Sequence, residues 1–552
     1  MSRTNLSFQG NEPYNLQYGE LVGESVAEDL PYEILSNGSQ GKSHAYRFSE
    51  FLQYRVKLGK VGRTLTVGGR YSTRQTPDSW TNSFSTLKTN FLDGVATPEK
   101  QYVHSNSIQG EDDVRVNFTY TEPISKNSQL SFQYRMDYEY QDLNKDAYIT
   151  GADYVPNGEP NPSLSSYNTS TSTEHRVGPG YRYAKGRNTV VANLYYQHST
   201  LEGLANGQKI SEPFDNITYF FMANMAFNPQ NTIRLFVNSY TQNPDVRNLQ
   251  EIPDLTNVQY ISQGNANLKS SYTHRVNFHY VRSNIEKGRT FMWMFSTQLT
   301  QDYIGQSIEY NKTMEVDGTV YNPLQYSTYE NMDGYATLRT HVSYGFPIAL
   351  IKCNLNVMVG ANWSKTPSKI DGVTNFTNNM GYDASVSLGS NISENVDFMV
   401  TWRGTYSYNN STLQTINNKY FMHYLRANIK AVLPLGFTVT SSVNFTQFMV
   451  FTNNLNDYFT LWNISVGKKV LNGLGEVELC VDDVLNQNTS FGRGVMASYS
   501  QLRYNMVLGR TFLVRFTYNL RDLGGQKRRM KTVDYPQDPL GDVQSKLNAL
   551  KL

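Results

Sequence analysis

Apolar and polar residues alternate at every second position along most of this chain. Residues 114–120 read VRVNFTY and residues 131–140 read SFQYRMDYEY, and the same alternation returns at 272–280 and 512–520. Successive side chains of a β-strand point to opposite faces, so each of these segments predicts a strand with one apolar and one polar face. A fold for this chain must therefore offer nearly every strand one dry surface and one wet surface.

The connections between these segments alternate between tight and long. Tight turns are predicted at 59–62, 122–128, 185–187, 228–231, 286–288, 347–352, 391–395, 434–436 and 471–475, and long polar connections at 76–110, 141–171, 242–270, 301–335 and 365–380. An outer-membrane barrel has short periplasmic turns at one end and long external loops at the other, whereas a β-sandwich has no reason to sort its loops in this way. The pattern predicts an all-β fold, a transmembrane antiparallel up-and-down β-barrel.

The amino-acid composition indicates that part of the protein surface faces something other than water. Charged residues make up 17% of the 552 residues, while there are 40 tyrosines and 27 phenylalanines. The net charge of +2 lacks the basic excess of a nucleic-acid-binding protein, so no nucleic-acid partner is expected. No run of 18 apolar residues predicts a membrane helix, and residues 1–10 contain no signal-peptide core. Two cysteines, Cys353 and Cys480, exclude a disulfide framework.

Three regions follow from where the alternation starts and stops. Residues 46–520 are predicted to form the barrel, with about 19–20 strands of a length able to cross the hydrocarbon at a tilt. Residues 1–45 are interpreted as an N-terminal remnant, in which 5–9 or 16–22 supplies a possible first strand. Residues 521–552 lose the alternation and are interpreted as a C-terminal tail.

The positions of the histidines, aspartates and cysteines give little support for a catalytic or metal-binding site. The closest pair of histidines, His274 and His279, is five residues apart on a predicted strand, so the two rings point to opposite faces. Asp482 and Asp483 are adjacent and diverge in the same way, and neither cysteine has an assignable base. We therefore expect no catalytic residue, no metal site and no cofactor, and no enzymatic activity.

Charged residues on the predicted wet face are the candidates for a functional surface. They could line a lumen and hold a plug or a passing solute, although any lumen is polar simply because it is hydrated. The candidate lumen-facing residues are Arg115, Arg135, Asp137, Glu139, Arg234, Arg275 and Arg515. Trp293, Trp363, Trp402 and Trp462 are instead interpreted as part of an interfacial aromatic girdle.

Several segments resemble the TonB-dependent outer-membrane receptors, specifically those in which the barrel follows a carboxypeptidase-regulatory-like extension and a plug. Residues 120–134 resemble a periplasmic turn of that family, and 243–280 resemble its mid-barrel signature, with Gly264-Asn265-Ala266-Asn267-Leu268 in place of a Gly-Asn-Pro-x-Leu element. Residues 481–491 and 505–520 resemble its last two strands. Together the similar segments extend over about residues 120 to 520.

The resemblance implies the outer membrane as the location and uptake of a bulky nutrient, such as a metal chelate, a glycan or a peptide, as the function. It also implies about 22 strands and a plug through which a TonB-type energy-coupling protein acts, with outer-membrane lipid and a surface lipoprotein as other partners. The plug, the energy-coupling box and a signal peptide are not seen in the sequence, so we expect a fragment or a barrel with fewer strands. The alternative is a passive or structural barrel whose external loops bind a partner.

Overall fold

The structure, a computed structural model, describes residues 2–11, 14–21, 33–91, 94–95, 99–162, 164–205, 207–249, 251, 253, 260–310, 312–316, 319–321, 323, 325–390, 395–413, 418–451, 455–471, 474–488, 490–495, 500–505 and 509–518. Across these ranges, no helix combines the length and the apolar content needed to cross a membrane. The predicted C-terminal tail lies outside the described residues.

Strands account for most of the described chain. The first half contains β1 (Ser2–Asn11), β2 (Tyr14–Leu21), β3 (Glu33–Lys57), β4 (Thr64–Phe91), β5 (Gly94–Val95), β6 (Glu99–Pro123), β7 (Ser128–Thr150), β8 (Ser166–Lys185), β9 (Asn188–Ala205), β10 (Gln208–Asn228), β11 (Asn231–Gln242), the short helix α1 (Val246–Leu249), β12 (Tyr260–Ser262), β13 (Ser271–Asn284) and β14 (Arg289–Gln301).

The second half continues with β15 (Tyr303–Tyr310), β16 (Met314–Val316), β17 (Thr319–Tyr321), β18 (Gln325–Met332), β19 (Tyr335–Ile348), β20 (Cys353–Ile370), β21 (Val373–Ser390), β22 (Val396–Ser411), β23 (Asn418–Val432), β24 (Phe437–Val450), β25 (Leu455–Val470), β26 (Gly475–Asp482), β27 (Ser490–Val495), β28 (Ser500–Asn505) and β29 (Thr511–Tyr518). Two 3-10 turns, Ala349–Ile351 and Pro434–Gly436, lie in tight connections.

The wall is a ladder of antiparallel hairpins that runs from β1 to β29. Both β1 and β2 pair with β3, and β29 pairs with β26. Counting β1 with β2 as one pass, and leaving aside β5, β12, β15 and β18, about 20 chain passes form this wall. This agrees with the predicted number. β1, β2 and the start of β3 fall in the segment 1–45, and its division from the barrel at residue 46 stays a prediction.

The ladder register separates two faces along every pass. On β13 and β14, Phe278 lies opposite Phe295 and Tyr280 opposite Trp293, whereas Arg275 lies opposite Gln298 on the other face. The apolar face is open to its surroundings, as Val514 at 73% and Tyr54 at 72% exposure show. All four tryptophans assigned to the girdle lie in register with apolar neighbours on this face. The predicted alternation of faces is therefore confirmed.

At the end of the wall opposite the tight turns, two of the predicted long polar connections are wrong, because the structure has paired strands there. Residues 76–110 are mostly strand, because β4 and β6 stay paired from Thr64–Thr121 up to Leu87–Glu99. Residues 365–380 form a tight hairpin, because β20 and β21 stay paired up to Ile370 and Val373. These extensions are mostly polar on both faces, so the alternation that marks membrane-crossing strands stops before the strand does.

Beyond the wall, the hairpin formed by β14 and β19 changes the strands with which it pairs. It continues without a register change into β15 and β18, but β15 now pairs in parallel with β20, and β18 pairs in parallel with β12. The turnover lies at Asp302 and Gly334, whose φ angles are 50° and 99°. Gly334 suits this point because a positive φ strains residues with a Cβ and because an added Cβ would lie 3.0 Å from the Phe376 ring.

The connection between β11 and β13 folds back over the wall as a cap. We define the cap as the described residues of this connection, 243–249, 251, 253 and 260–270, including α1. Leu249 and Leu268 of the cap are buried against Leu201 of β9, and partly buried apolar side chains surround them: Phe214, Ile304 and Tyr329. By register, Leu201 and Phe214 lie on the polar face, beside Glu174 and Ser199 rather than beside the exposed aromatics. The cap therefore packs onto the polar side of the wall.

Candidate functional site

The polar face carries all seven charged residues selected from the sequence. The ladder aligns Arg115 with Asp137, Asp137 with Glu174, Arg234 with His279, Arg275 with Gln298, and Arg515 with Glu478. Arg135 and Glu139 lie two residues from Asp137 on β7 and thus share its face. The register brings four of the seven together, and it places Arg234, Arg275 and Arg515 on separate passes.

Asp137 is the centre of an ion-pair network on β6 to β8. Its two carboxylate oxygens accept hydrogen bonds from the Nε atoms of Arg115 and Arg135, and Arg135 also donates from Nη2 over 3.0 Å. On the next pass, the Nε atom of Arg176 lies 2.6 Å from a Glu174 oxygen. The other Glu174 oxygen accepts a 2.9 Å hydrogen bond from Gln197, which is fully buried. These contacts link side chains of β6 with β7 and of β8 with β9 on the polar face.

A group of three carboxylates lies directly beside this network. One oxygen each of Glu111, Asp113 and Glu139 can be chosen so that all three lie within 4.8 Å of one another. Carboxylates in this arrangement could hold a divalent cation. Arg70 and Arg115 lie within electrostatic reach of Asp113, however, so two cations of the protein offset part of the charge of the group. The same arrangement is expected of a barrel wall in which acidic and basic side chains offset one another without a bound cation.

The remaining selected residues have different environments. Arg275 donates from Nη2 to the Tyr240 hydroxyl at 2.9 Å and to Gln298 Oε1 at 3.0 Å. Arg515 donates weakly to Glu478 across 3.5 Å. Arg234 has no hydrogen-bond or ion-pair partner among the described residues. A selection made by residue type alone could not separate these three situations, because they depend on which residue the register places opposite.

A second charged cluster joins the first two tight turns, outside the membrane-crossing part of the wall. Glu122 accepts hydrogen bonds from Arg63 Nε at 2.7 Å, Lys60 Nζ at 3.0 Å and the Tyr120 hydroxyl at 2.7 Å. The Arg63 hydrogen bond is the main cause, ahead of those from Tyr120 and Lys60, that lowers the pKa of Glu122 from 4.5 to about 2. The same contact raises the pKa of Arg63. The cluster ties two neighbouring hairpins together at the turn end.

Sequence reasoning did not select several polar-face residues that the structure brings together. Glu174 and Arg176 complete the ion-pair network, Asp383 pairs with Arg403 at 3.1 Å, and His279 lies opposite Arg234. Each of these residues occupies the polar position of an alternating segment, so the sequence did contain the signal. The predicted divergence of His274 and His279 is confirmed, since the ladder places His274 opposite Leu299 and His279 opposite Met294.

An antiparallel wall with an apolar face that is open to its surroundings and carries four tryptophans, and with a charged opposite face, defines the chain as a transmembrane β-barrel of the outer membrane. The chain belongs to the outer membrane protein beta-barrel family, whose model matches residues 56–518. This family is one of outer-membrane barrels and not of enzymes, as the sequence predicted.

Solved structures of transporters and receptors share low similarity with this chain. The copper transporter OprC is 9% identical, with 80% of this chain and 74% of that chain covered at a TM-score of 0.40. The FrpB iron transporter from Neisseria meningitidis (F3-3 variant) is 10% identical, with 94% and 80% covered at a TM-score of 0.40. The ferric yersiniabactin uptake receptor FyuA from Yersinia pestis is 9% identical, with 92% and 79% covered at 0.38. No curated protein matches the chain.

Proposed function

We propose that this chain is the barrel portion of a TonB-dependent receptor that takes up a bulky nutrient across the outer membrane. The nutrient class, a metal chelate, a glycan or a peptide, follows from the resemblance of residues 243–280 and 481–520 to that family. We also propose that the polar face is the wetted interior of the barrel and that Arg115, Arg135, Asp137, Glu139, Arg234, Arg275 and Arg515 face it. An energy-coupling partner of the TonB type would act through a plug held against this face.

The observation that carries the proposal is the cap. A passive pore needs an open mouth, whereas here an external connection folds over the polar side, where Leu249 and Leu268 pack against Leu201 of the wall. The backbone N–H of Asn265 donates to Asn248 O at 2.7 Å within the cap. Two further hydrogen bonds join the cap to β18: the Asn265 side-chain amide donates to Tyr329 O at 2.9 Å, and the backbone N–H of Lys269 donates to Asn331 Oδ1 at 2.7 Å. Asn265 and Leu268 belong to the segment that resembles the mid-barrel signature. An ordered external surface of this kind suits capture of a large solute.

Planar-bilayer conductance of the full-length gene product tests the proposal. A receptor whose barrel is plugged should be nearly silent, because no continuous water path crosses it. Uptake of the nutrient should also require the energy-coupling protein in cells. Large steady currents, together with uptake that persists without energy coupling, would contradict the proposal and favour the passive barrel instead. A surface lipoprotein would be recognised by co-purification with the intact protein and loss of that contact when the cap is deleted.

A further inference from the structure

The charged residues of the polar face are unevenly paired. On β6 to β8, the arginines Arg115, Arg135 and Arg176 each contact a carboxylate, and on β22 Arg403 pairs with Asp383. On β11, β13 and β19, a group of four basic or imidazole side chains has no such partner. We define the basic patch as Arg234, His279, Arg339 and His341.

The ladder places these four side chains on one continuous surface. Arg234 lies directly opposite His279, and His279 is separated from His341 only by Met294 of β14. Arg339 lies two residues from His341 on the same strand and opposite Ser296. With neighbouring strands about 4.8 Å apart, the two imidazole rings stand roughly 10 Å apart across the Met294 side chain.

Among the described strands, the carboxylate nearest in the ladder lies at one edge of the basic patch, beside His341. The row of the ladder that passes through the patch continues from Arg234 to Asn224 on one side, and from His341 through Gly360 to Asp383 on the other. Asp383 is the first carboxylate in that row: its Oδ1 pairs with Arg403 at 3.1 Å, and its Oδ2 lies over Gly360 on the side of His341. Like charges so placed repel one another and stay favourable only where water or an anion balances them.

Two observations indicate that the groups of the patch are available to a ligand. Among the described residues, Arg234, Arg339 and His341 make no hydrogen bond or ion pair, and Arg234 and Arg339 are exposed. The Nε2 atom of His279 is buried and has no hydrogen-bond partner. Buried ring nitrogens are normally paired, so the orphaned one on His279, directly opposite Arg234, leaves a hydrogen-bonding position that a ligand can complete.

We infer that the basic patch of Arg234, His279, Arg339 and His341 is a binding site for an oxyanion, a phosphate or carboxylate group carried by a solute that enters the barrel. Guanidinium groups bind such anions through paired N–H donors, and the imidazole rings supply further donors. The inference rests on the proposal that the polar face is the wetted interior. It adds to that proposal an anionic group on the transported solute and the wall position that recognises it.

Calorimetric titration of the purified full chain in detergent, with inorganic phosphate as the probe at low ionic strength, tests this inference. The double variant Arg234→Gln/Arg339→Gln should bind phosphate at least about tenfold more weakly, since each charge-assisted hydrogen bond lost reduces affinity by about that factor. The matched control is Arg182→Gln, which removes an exposed arginine from the same face on β8 and should leave phosphate affinity within about twofold. If the site also binds carboxylates, citrate in place of phosphate should give the same ranking of binding affinities among the variants.

Imidazole NMR signals give a readout that does not depend on affinity alone. Phosphate should shift the ring signals of His279 and His341, assigned by His279→Gln and His341→Gln, but not those of His175 and His274, which lie on the apolar face. Equal phosphate affinity in the double variant and the wild type, or unshifted His279 and His341 signals at millimolar phosphate, would overturn the inference. Phosphate binding is measured on the isolated protein, so it can fail while energy-coupled uptake succeeds, and the reverse.

Discussion

At the scale of single residues, one carboxylate often serves several cations. Asp137 accepts from two arginines on two strands, and Glu122 accepts from Arg63, Lys60 and Tyr120 at the turn end. Such shared carboxylates cross-link neighbouring hairpins through side chains as well as through the backbone ladder. Their contributions differ with exposure, because water screens an exposed ion pair strongly.

Glu122 should titrate far below an ordinary glutamate. Its pKa is lowered to about 2, so the stabilisation from its contacts is fully present above the unfolded-state value near 4.5 and is lost as the pH falls through about 2. A titration of the Glu122 carboxyl carbon by NMR in detergent, assigned with Glu122→Gln, measures this directly. Arg63→Gln should move the midpoint upward. A midpoint near 4.5 in the wild-type protein would show that the cluster does not form.

Replacing Asp137 by Asn should destabilise the wall, because two arginines lose their carboxylate partner and one acceptor oxygen becomes an NH2 donor. Because all three side chains are partly exposed, we expect Asp137→Asn to lower the free energy of unfolding by only about 1 kcal/mol. Guanidinium-induced unfolding, followed by tryptophan fluorescence in detergent, gives the difference. The matched control Glu159→Gln, at an exposed position of the connection between β7 and β8, should leave the midpoint unchanged. A loss no larger than that of the control would contradict the role given to Asp137.

At the scale of strands and connections, the cap depends on a small apolar core. Leu249 is fully buried where α1 meets β9. α1 has only four residues, so it has little stability of its own and depends on this contact. The cap should therefore open more easily than the wall, which is held by continuous ladders on both sides of most strands.

Leu249→Ala should loosen the cap without unfolding the barrel. Loss of the buried side chain costs about 2–3 kcal/mol, and that cost falls on the cap because the wall strands do not contain this residue. Hydrogen exchange of residues 243–270 should become faster, while exchange in β20 to β24 stays unchanged. Val155→Ala removes an exposed apolar side chain from another external connection and should change neither. Faster exchange throughout the wall would show that Leu249 supports the barrel itself.

The sequence allowed the wall strands to be predicted, because lipid on one face and water on the other impose a period of two. It also allowed the tight turns within the described residues to be predicted, whereas most of the predicted turn at 391–395 lies outside them. It did not allow the extensions of β4, β6, β20 and β21 to be predicted, since a strand wetted on both faces carries no alternation. The turnover of the β15–β18 hairpin depends on Gly334 and on contacts with β20 and the cap, which are distant in sequence. The ion-pair partners on the polar face could not be predicted either, because only the register between β6 and β7 places Asp137 next to Arg115.

At the scale of the whole molecule, the two faces should differ in their access to water, and this can be measured residue by residue. Ser385 and Val386 are neighbours on β21, but the ladder places Ser385 opposite Arg403 and Val386 opposite Trp402. In a variant whose two buried free cysteines, Cys353 and Cys480, are replaced by Ala, a single cysteine can be introduced at either position.

In liposomes, a charged water-soluble thiol reagent should modify Ser385→Cys on the order of tenfold faster than Val386→Cys, because lipid covers only the apolar face. A lipid-soluble maleimide should remove or reverse the difference, and Val155→Cys in an external connection should react rapidly with both reagents. Equal rates at positions 385 and 386 with the charged reagent would mean that both faces meet the same solvent. The outer-membrane placement of the wall, the polar interior and the basic patch would then all lose their basis, because each depends on lipid contacting one face and water the other.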